Sequence, residues 1–394
     1  MKKLFLAAIA LIAFCVPANN TIWKRFFSRH TPIVQEQLAP EWQHLLDQYE
    51  AFVRRSMSEE EIPGVAVAIV KGDTPVLLKG FGVKQARTSD SVSVHTVFRL
   101  ASLSKGFAPV ITSILRQEGK LDWDDKIIDY VPDFEVNSKE HTQNMSIRHI
   151  LSHTSGLPRH AYSNLLNQGW YYDEILPKLK RVKPTHPLGV YYNYQNVVYS
   201  LIGDVVKETT AKSYAQLLEE RIFEPAGMYD ATATFDGILE TPNVALPHWY
   251  FRGKGYDAIE IARNYYEVIP AAGVNASIAD MACWLQVLMG NRPDIINQEQ
   301  LNDIFQPHVE VNLREMRDWN GNLRRAWYAL GWRVLDMQDR TIIYHGGFVN
   351  GYRTEIAFDP KDKVGIVVLS NAMSNFIGQS APHFFDLYRQ MVLN

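Results

Sequence analysis

Two β-branched runs open the patterned part of the chain: "GVAVAIV" (64–70) and "PVLLKGFGV" (75–83). The short polar segment "KGDT" joins them, which predicts a β-hairpin. Apolar residues then recur at helical spacing from Ser104 to Glu118. Pro109 falls inside that helix, where a missing donor and a ring clash predict a kink. Residues 146–305 read mainly as helices and loops, with "VVYSLIGDVVKETT" and "SYAQLLEERIF" as examples. Strand patterns return in "YALGWRVL", "TIIYHG", "YRTEIAF" and "KVGIVVLS", and "APHFFDLYRQMVL" closes the chain at helical spacing. Strands at both ends with helices between predict an α+β fold. One antiparallel sheet is built from the two chain ends, around a helical insert at roughly 125–325.

The N-terminus has a different character. Lys2 and Lys3 precede the thirteen-residue apolar run "LFLAAIALIAFCV", and "VPA" supplies small residues before Asn19. This layout predicts an export signal over 1–18, a linker over 19–44 and a folded domain over 45–394. The protein is then periplasmic or secreted, with an uncleaved anchor as the alternative. The run falls short of the roughly 20 residues that span a bilayer. Bulky Phe14 before Cys15 argues against lipidation. With the signal removed only Cys283 remains, too few thiols for a disulfide or a cysteine-based metal site.

Composition narrows the function classes. The 394 residues are 46% hydrophobic and carry a net charge of -3, which argues against a nucleic-acid surface. The basic aromatic stretch "NTIWKRFFSRH" allows a peripheral contact with a membrane or cell wall. Oligomeric state is not readable.

The candidate chemistry lies in "FRLASLSKGF" (98–107). A serine hydroxyl is a poor nucleophile until a base takes its proton. Ser102 and Lys105 stand three residues apart, on one face of a helix, so the lysine can be that base if its pKa falls. Ser104 points elsewhere, about 100° around a helix from its neighbour, and reads as a local hydrogen-bonding residue. Competing signatures are missing: no G-x-S-x-G, no H-E-x-x-H and no phosphate loop, and "GGFVNG" (346–351) lacks the lysine of the last. His149 and His153 have the i, i+4 spacing of metal ligands but no third partner, so no metal is expected.

These segments, in this order, resemble the serine beta-lactamase and penicillin-binding protein superfamily, in its class C-like branch of beta-lactamases, DD-peptidases, D-aminopeptidases and esterases. "IPGVAVAIVKG" is similar to the family's first strand and "FRLASLSKGF" to its S-x-x-K segment. "LRQEGKLDWDDKIIDYVPDF" and "MSIRHILSHTSGLP" are similar to two stretches that follow, "PLGVYYNYQNVVYSLIG" to the Y-x-N segment, and "YHGGFVNGYRTEIAFDPKDKVGIVVLSN" to the closing strands. The resemblance implies a serine hydrolase working through an acyl-enzyme, with neither metal nor organic cofactor. Ser102 would attack, Lys105 accept its proton, and Tyr194 protonate the leaving group with its pKa depressed by Lys105. Asn196 would bond Lys105 and the substrate, and His345 would head the third motif. Gly346 and Gly347 would make room for substrate, and the Ser102 and Phe348 N–H groups would form an oxyanion hole. Tyr191, Tyr192 and Tyr199 read as packing, and His153 of "HTSG" as scaffold.

One departure bears on substrate. The third motif has His345 where potent lactamases carry a lysine. A D-amino-acid peptide, a beta-lactam or a small ester is the implied substrate, and the histidine suits peptidase and esterase members better. An imidazole there would gain charge near pH 5.5 and attract anionic substrates more at low pH. A catalytically silent penicillin-binding-like sensor or envelope scaffold is the alternative reading.

Overall fold

In the computed structural model, the described residues are 38–319 and 323–393. The export signal and most of the linker lie outside them. The first helix, α1 (Pro40–Glu59), starts within the segment read as linker. Trp42, Leu45, Leu46, Tyr49 and Val53 are its buried stripe.

The strands are β1 (Gly64–Lys71), β2 (Thr74–Gly82), β3 (Val97–Arg99), β4 (His248–Phe251), β5 (Gly255–Ala258), β6 (Asn275–Ser277), β7 (Val309–Glu310), β8 (Leu323–Tyr328), β9 (Arg333–Met337), β10 (Thr341–Val349), β11 (Tyr352–Asp359) and β12 (Val364–Ser370). Eight of them make one antiparallel sheet, ordered β2-β1-β12-β11-β10-β9-β8-β7. Strand β1 pairs with β12, Val65 opposite Ser370 through Lys71 opposite Val364, so an N-terminal and a C-terminal strand are neighbours, second and third from the β2 edge of the sheet. The α+β expectation holds.

Both faces of β1 are covered, which is why its sequence is continuously apolar instead of alternating. Val65, Val67 and Ile69 pack into a core with α1 and the last long helix, while Ala66, Ala68 and Val70 face the core of the helical region. The helices that matter below are α2 (Phe107–Gln117), α3 (Leu201–Thr210), α4 (Ile278–Leu288) and α5 (Asn375–Tyr388).

Several boundaries differ from the sequence expectation for physical reasons. The run "YALGWRVL" is not one strand. It breaks at Gly331, whose φ of +74° turns β8 back into β9. The helical insert ends near 308, before β7; it holds the small pair β4–β5 and also β6, which pairs with β3 outside the insert. Helix α5 starts at Asn375, six residues before the predicted start.

The predicted helix from Ser104 is a 3₁₀ turn, Ala101–Gly106, followed by α2. Pro109 does not kink it. It sits in the first turn of α2, where backbone donors need no helical partner. The carbonyl four residues before it, Lys105's, instead accepts the Tyr199 hydroxyl at 2.7 Å.

Candidate active site

The 3₁₀ turn decides how Ser102 and Lys105 relate. With three residues per turn, positions i and i+3 eclipse, so the two side chains share a face more closely than on an α-helix. Ala101 enters the turn at φ +52°, a left-handed conformation that a non-glycine residue rarely adopts. The surrounding structure fixes it on three sides. The Leu100 N–H donates to the Val274 carbonyl at 2.9 Å, and the Val274 N–H donates to Ser104 Oγ at 3.0 Å. Gly106 lies where a Cβ would come 2.2 Å from the Trp332 ring. Gly347 of β10 lies where one would come 2.6 Å from the Leu100 carbonyl and 2.3 Å from Thr354 Oγ1. The strand and the turn touch because Gly347 has no side chain.

Lys105 is fully buried. Its Nζ donates to Asn196 Oδ1 at 2.8 Å and to the Ala271 carbonyl at 2.9 Å, both neutral acceptors. Burial, reinforced by the nearby Arg333 guanidinium, holds its pKa well below the ordinary lysine value. A neutral amine is what a base requires.

Tyr194 closes the group. Lys105 Nζ sits 4.6 Å from its ring centroid, and the tyrosine lines the same cleft as Ser102, which is near enough to act on the phenol's pKa. Burial raises the phenol's pKa, and this outweighs the lowering by Arg333 and by Ser102. The expectation that Lys105 depresses it is therefore corrected: Tyr194 is a neutral hydroxyl, able to give a proton but not present as phenolate. Its loop hangs on "HTSG". The Asn193 N–H donates to the His153 carbonyl at 2.9 Å, and the Gln195 N–H to His153 Nδ1 at 3.2 Å. His153 is thus a scaffold residue, with its ring 4.3 Å from that of Tyr194. His149 instead caps its own helix, Nδ1 lying 3.0 Å from Ser146 Oγ.

His345 requires the second correction. It is 1% exposed and does not meet the cleft with its imidazole. Nδ1 lies 2.9 Å from the Gly346 carbonyl and Nε2 3.1 Å from the Tyr328 hydroxyl. A carbonyl can only accept, so Nδ1 carries the proton and Nε2 accepts from Tyr328: the neutral tautomer. Burial first, then Arg333 and Lys105, hold its pKa well below 6.5. Its charging is moved to more acidic pH than an ordinary imidazole's, and the ring does not line the cleft where it would read a substrate.

The residues around Ser102 open onto a cleft of about 990 Å³. Ser102, Tyr194, Asn196, Gly346, Gly347 and Phe348 line it. Strand β9 pairs with β10 only as far as Tyr344, so residues 345–349 present a free strand edge beside the nucleophile. The Phe348 side chain is 61% exposed there. Two neighbours escaped the sequence reading. Tyr199, read as packing, holds the Lys105 carbonyl. Arg333 lines the cleft, and its one sequence signal is a cation inside the apolar run "LGWRVL".

The fold and this arrangement define a serine-lysine-tyrosine site beside an antiparallel sheet. A family model described as Beta-lactamase matches residues 49–384, and the chain belongs to the beta-lactamase family. It is 24% identical over 342 residues to Protein flp of Staphylococcus aureus (strain MW2), covering 85% of this chain and 65% of that protein. It is 25% identical over 351 residues to unguisins hydrolase ungD' of Aspergillus campestris, covering 84% and 63%. The chain thus spans a little under two thirds of the length of these curated relatives. Among solved structures, the octameric penicillin-binding protein homologue from Pyrococcus abyssi matches with a TM-score of 0.75 at 21% identity, covering 88% of this chain and 77% of that one. That likeness is one of fold.

Proposed function

We propose that the protein is a serine hydrolase that works through an acyl-enzyme. The observation that carries this reading is Lys105: a buried amine, bonded only to neutral acceptors, one 3₁₀ turn from Ser102. Ser102 Oγ attacks the substrate carbonyl carbon as its proton passes to Lys105 Nζ, leaving a tetrahedral oxyanion. The N–H groups of Ser102 and Phe348 receive that oxyanion, each contributing about 3–4 kcal/mol. The neutral Tyr194 hydroxyl gives a proton to the leaving nitrogen or oxygen and is recharged from Lys105. Water then cleaves the ester on Ser102 by the reverse relay. Asn196 holds Lys105 and presents its amide to the cleft.

The substrate class is a D-amino-acid peptide, a beta-lactam or a small ester, and the action takes place outside the cytoplasm. Export rests on the sequence alone, on Lys2, Lys3 and the apolar run that follows. Turnover of p-nitrophenyl acetate and of a fluorescent penicillin tests the reading. The purified protein should release p-nitrophenol catalytically, and Lys105→Ala should lower the acylation rate at least about 100-fold. Equal rates in the two proteins would remove lysine as the base, and no reaction with either reagent would favour a silent binding protein.

A further inference from the structure

The free edge of β10 runs past Ser102 and ends in a two-residue turn, Asn350–Gly351, with Val349 paired to Tyr352 across it. Both turn residues have positive φ, +38° and +83°, as in the type I′ hairpin turn that favours Asn-Gly. The turn is wedged in place: a Cβ on Gly351 would come 2.9 Å from the backbone N and O of His248. The backbone of Asn350 makes the turn, and its side chain is engaged elsewhere.

Asn350 Nδ2 donates to Asn264 Oδ1 at 2.7 Å, joining segments 86 residues apart. That acceptor is held in orientation, because it also takes the Tyr265 N–H at 2.8 Å. The segment carrying it is pinned from within by two cross-strand partners, Arg99 of β3 and Asn275 of β6. Fully buried Arg99 donates from Nη1 to the Ala262 carbonyl at 2.8 Å, and the Tyr266 hydroxyl donates to Asn275 Oδ1. Ser102 follows Arg99 by three residues, so one strand positions both the nucleophile and this wall. Asn264, Tyr265, Val349 and Asn350 all line the cleft that holds Ser102. The two asparagines thus bridge two segments of the cleft wall where the edge of β10 runs out.

Tyr194, the proton donor to the leaving group, lies toward the other end of this edge, with its ring centroid 6.5 Å from that of His345. The leaving group departs at the His345 end, and the acyl part runs toward Val349 and Asn350. From Phe348, whose N–H receives the oxyanion, two residues lead to the bridge, about 7 Å at the rise of a strand. We propose that the Asn264–Asn350 bridge is a length stop, the specificity-determining contact for the acyl part of the substrate. This rests on the hydrolase reading above and narrows the substrates to short acyl groups. An internal bond of a polymer, whose acyl side must continue through the bridge, is excluded.

The test uses p-nitrophenyl esters from acetate to decanoate, with kcat/KM for decanoate divided by that for butanoate as the readout. The ratio should lie below one in the parent protein. Asn350→Gly keeps a residue suited to the type I′ turn and removes the donor, and Asn264→Ala removes the acceptor. Each should raise the ratio at least about 10-fold, as when a pocket gains room for further methylenes. Each variant reads the bridge from its own side, so one that fails to fold leaves the other as the test. A parent ratio above one, or a ratio that a folded variant leaves unchanged, overturns the stop and leaves the hydrolase reading standing. So does failure of every ester with protein that still labels with a fluorophosphonate. Neither ester reaction nor labelling refutes the hydrolase reading and the stop with it.

Discussion

The Tyr199 hydroxyl donates to the Lys105 carbonyl at 2.7 Å, taking the acceptor that Pro109 has no N–H to satisfy. Both groups are buried, so neither has water to fall back on. Tyr199→Phe should therefore cost about 1–3 kcal/mol in denaturant unfolding. Pro109→Ala restores an N–H four residues beyond that carbonyl. The double variant should lose less than the sum of the two single changes. Additive losses would show that the two groups do not share this acceptor.

Gly347 sets the distance between β10 and the nucleophile's turn. Gly347→Ala would place a Cβ against the Leu100 carbonyl and Thr354, so the strand must shift away from Ser102. Displacements near 1 Å at a catalytic site cost on the order of 100-fold in rate. Acylation by a fluorophosphonate should fall by about that factor while circular dichroism keeps the native spectrum. A rate within twofold of the parent would remove the strand edge from the site.

Lys105 fixes the acid limb of the activity profile. The amine works unprotonated, so kcat/KM should be lost as pH falls through its folded pKa. Burial, with Arg333, places that limb below the ordinary lysine value of 10.5. Arg333→Gln removes one lowering cause, and the limb should then move to higher pH; Arg333→Lys should leave it nearer the parent. A limb at 10.5 in the parent, or one that ignores Arg333→Gln, contradicts this assignment.

His345 affects stability and not substrate charge. Its folded pKa lies below 6.5, so under mildly acidic conditions the unfolded chain binds a proton that the folded one does not. Stability should fall as pH drops below about 6.5, with up to about 1.4 kcal/mol per pH unit from this residue. His345→Asn should flatten the slope by about that amount in urea unfolding between pH 6.5 and 5. An unchanged slope would mean that the imidazole protonates freely in the folded state.

How much of this the sequence revealed depended on whether the information was local. The β1 and β12 runs were legible because strands buried on both faces stay apolar throughout. The spacing of Ser102 and Lys105 was legible on either kind of helix; Ser104 was read as a local hydrogen-bonding residue, and it does accept a hydrogen bond, but from Val274, 170 residues away, so its partner was not legible. The turn at Gly331 was not, since one glycine in an apolar run does not announce positive φ. Pro109 misled because the start of α2 was placed three residues early, which put the proline in the helix interior. The protonation of Tyr194 and His345 depends on burial set by residues distant in sequence, and no motif encodes it. Arg333 reaches the cleft only through the pairing of β9 with β10, a tertiary fact.

The most direct test of the central claim is peptide mapping of the covalent adduct by mass spectrometry. Protein labelled with a fluorophosphonate should carry the added mass on Ser102. Ser102→Ala should take up none. Ser104→Ala should still label at Ser102, because Ser104 is buried with its hydroxyl accepting from Val274, and the change costs stability rather than the nucleophile. An adduct on Ser104 or another residue, or labelling that persists in Ser102→Ala, would contradict the account.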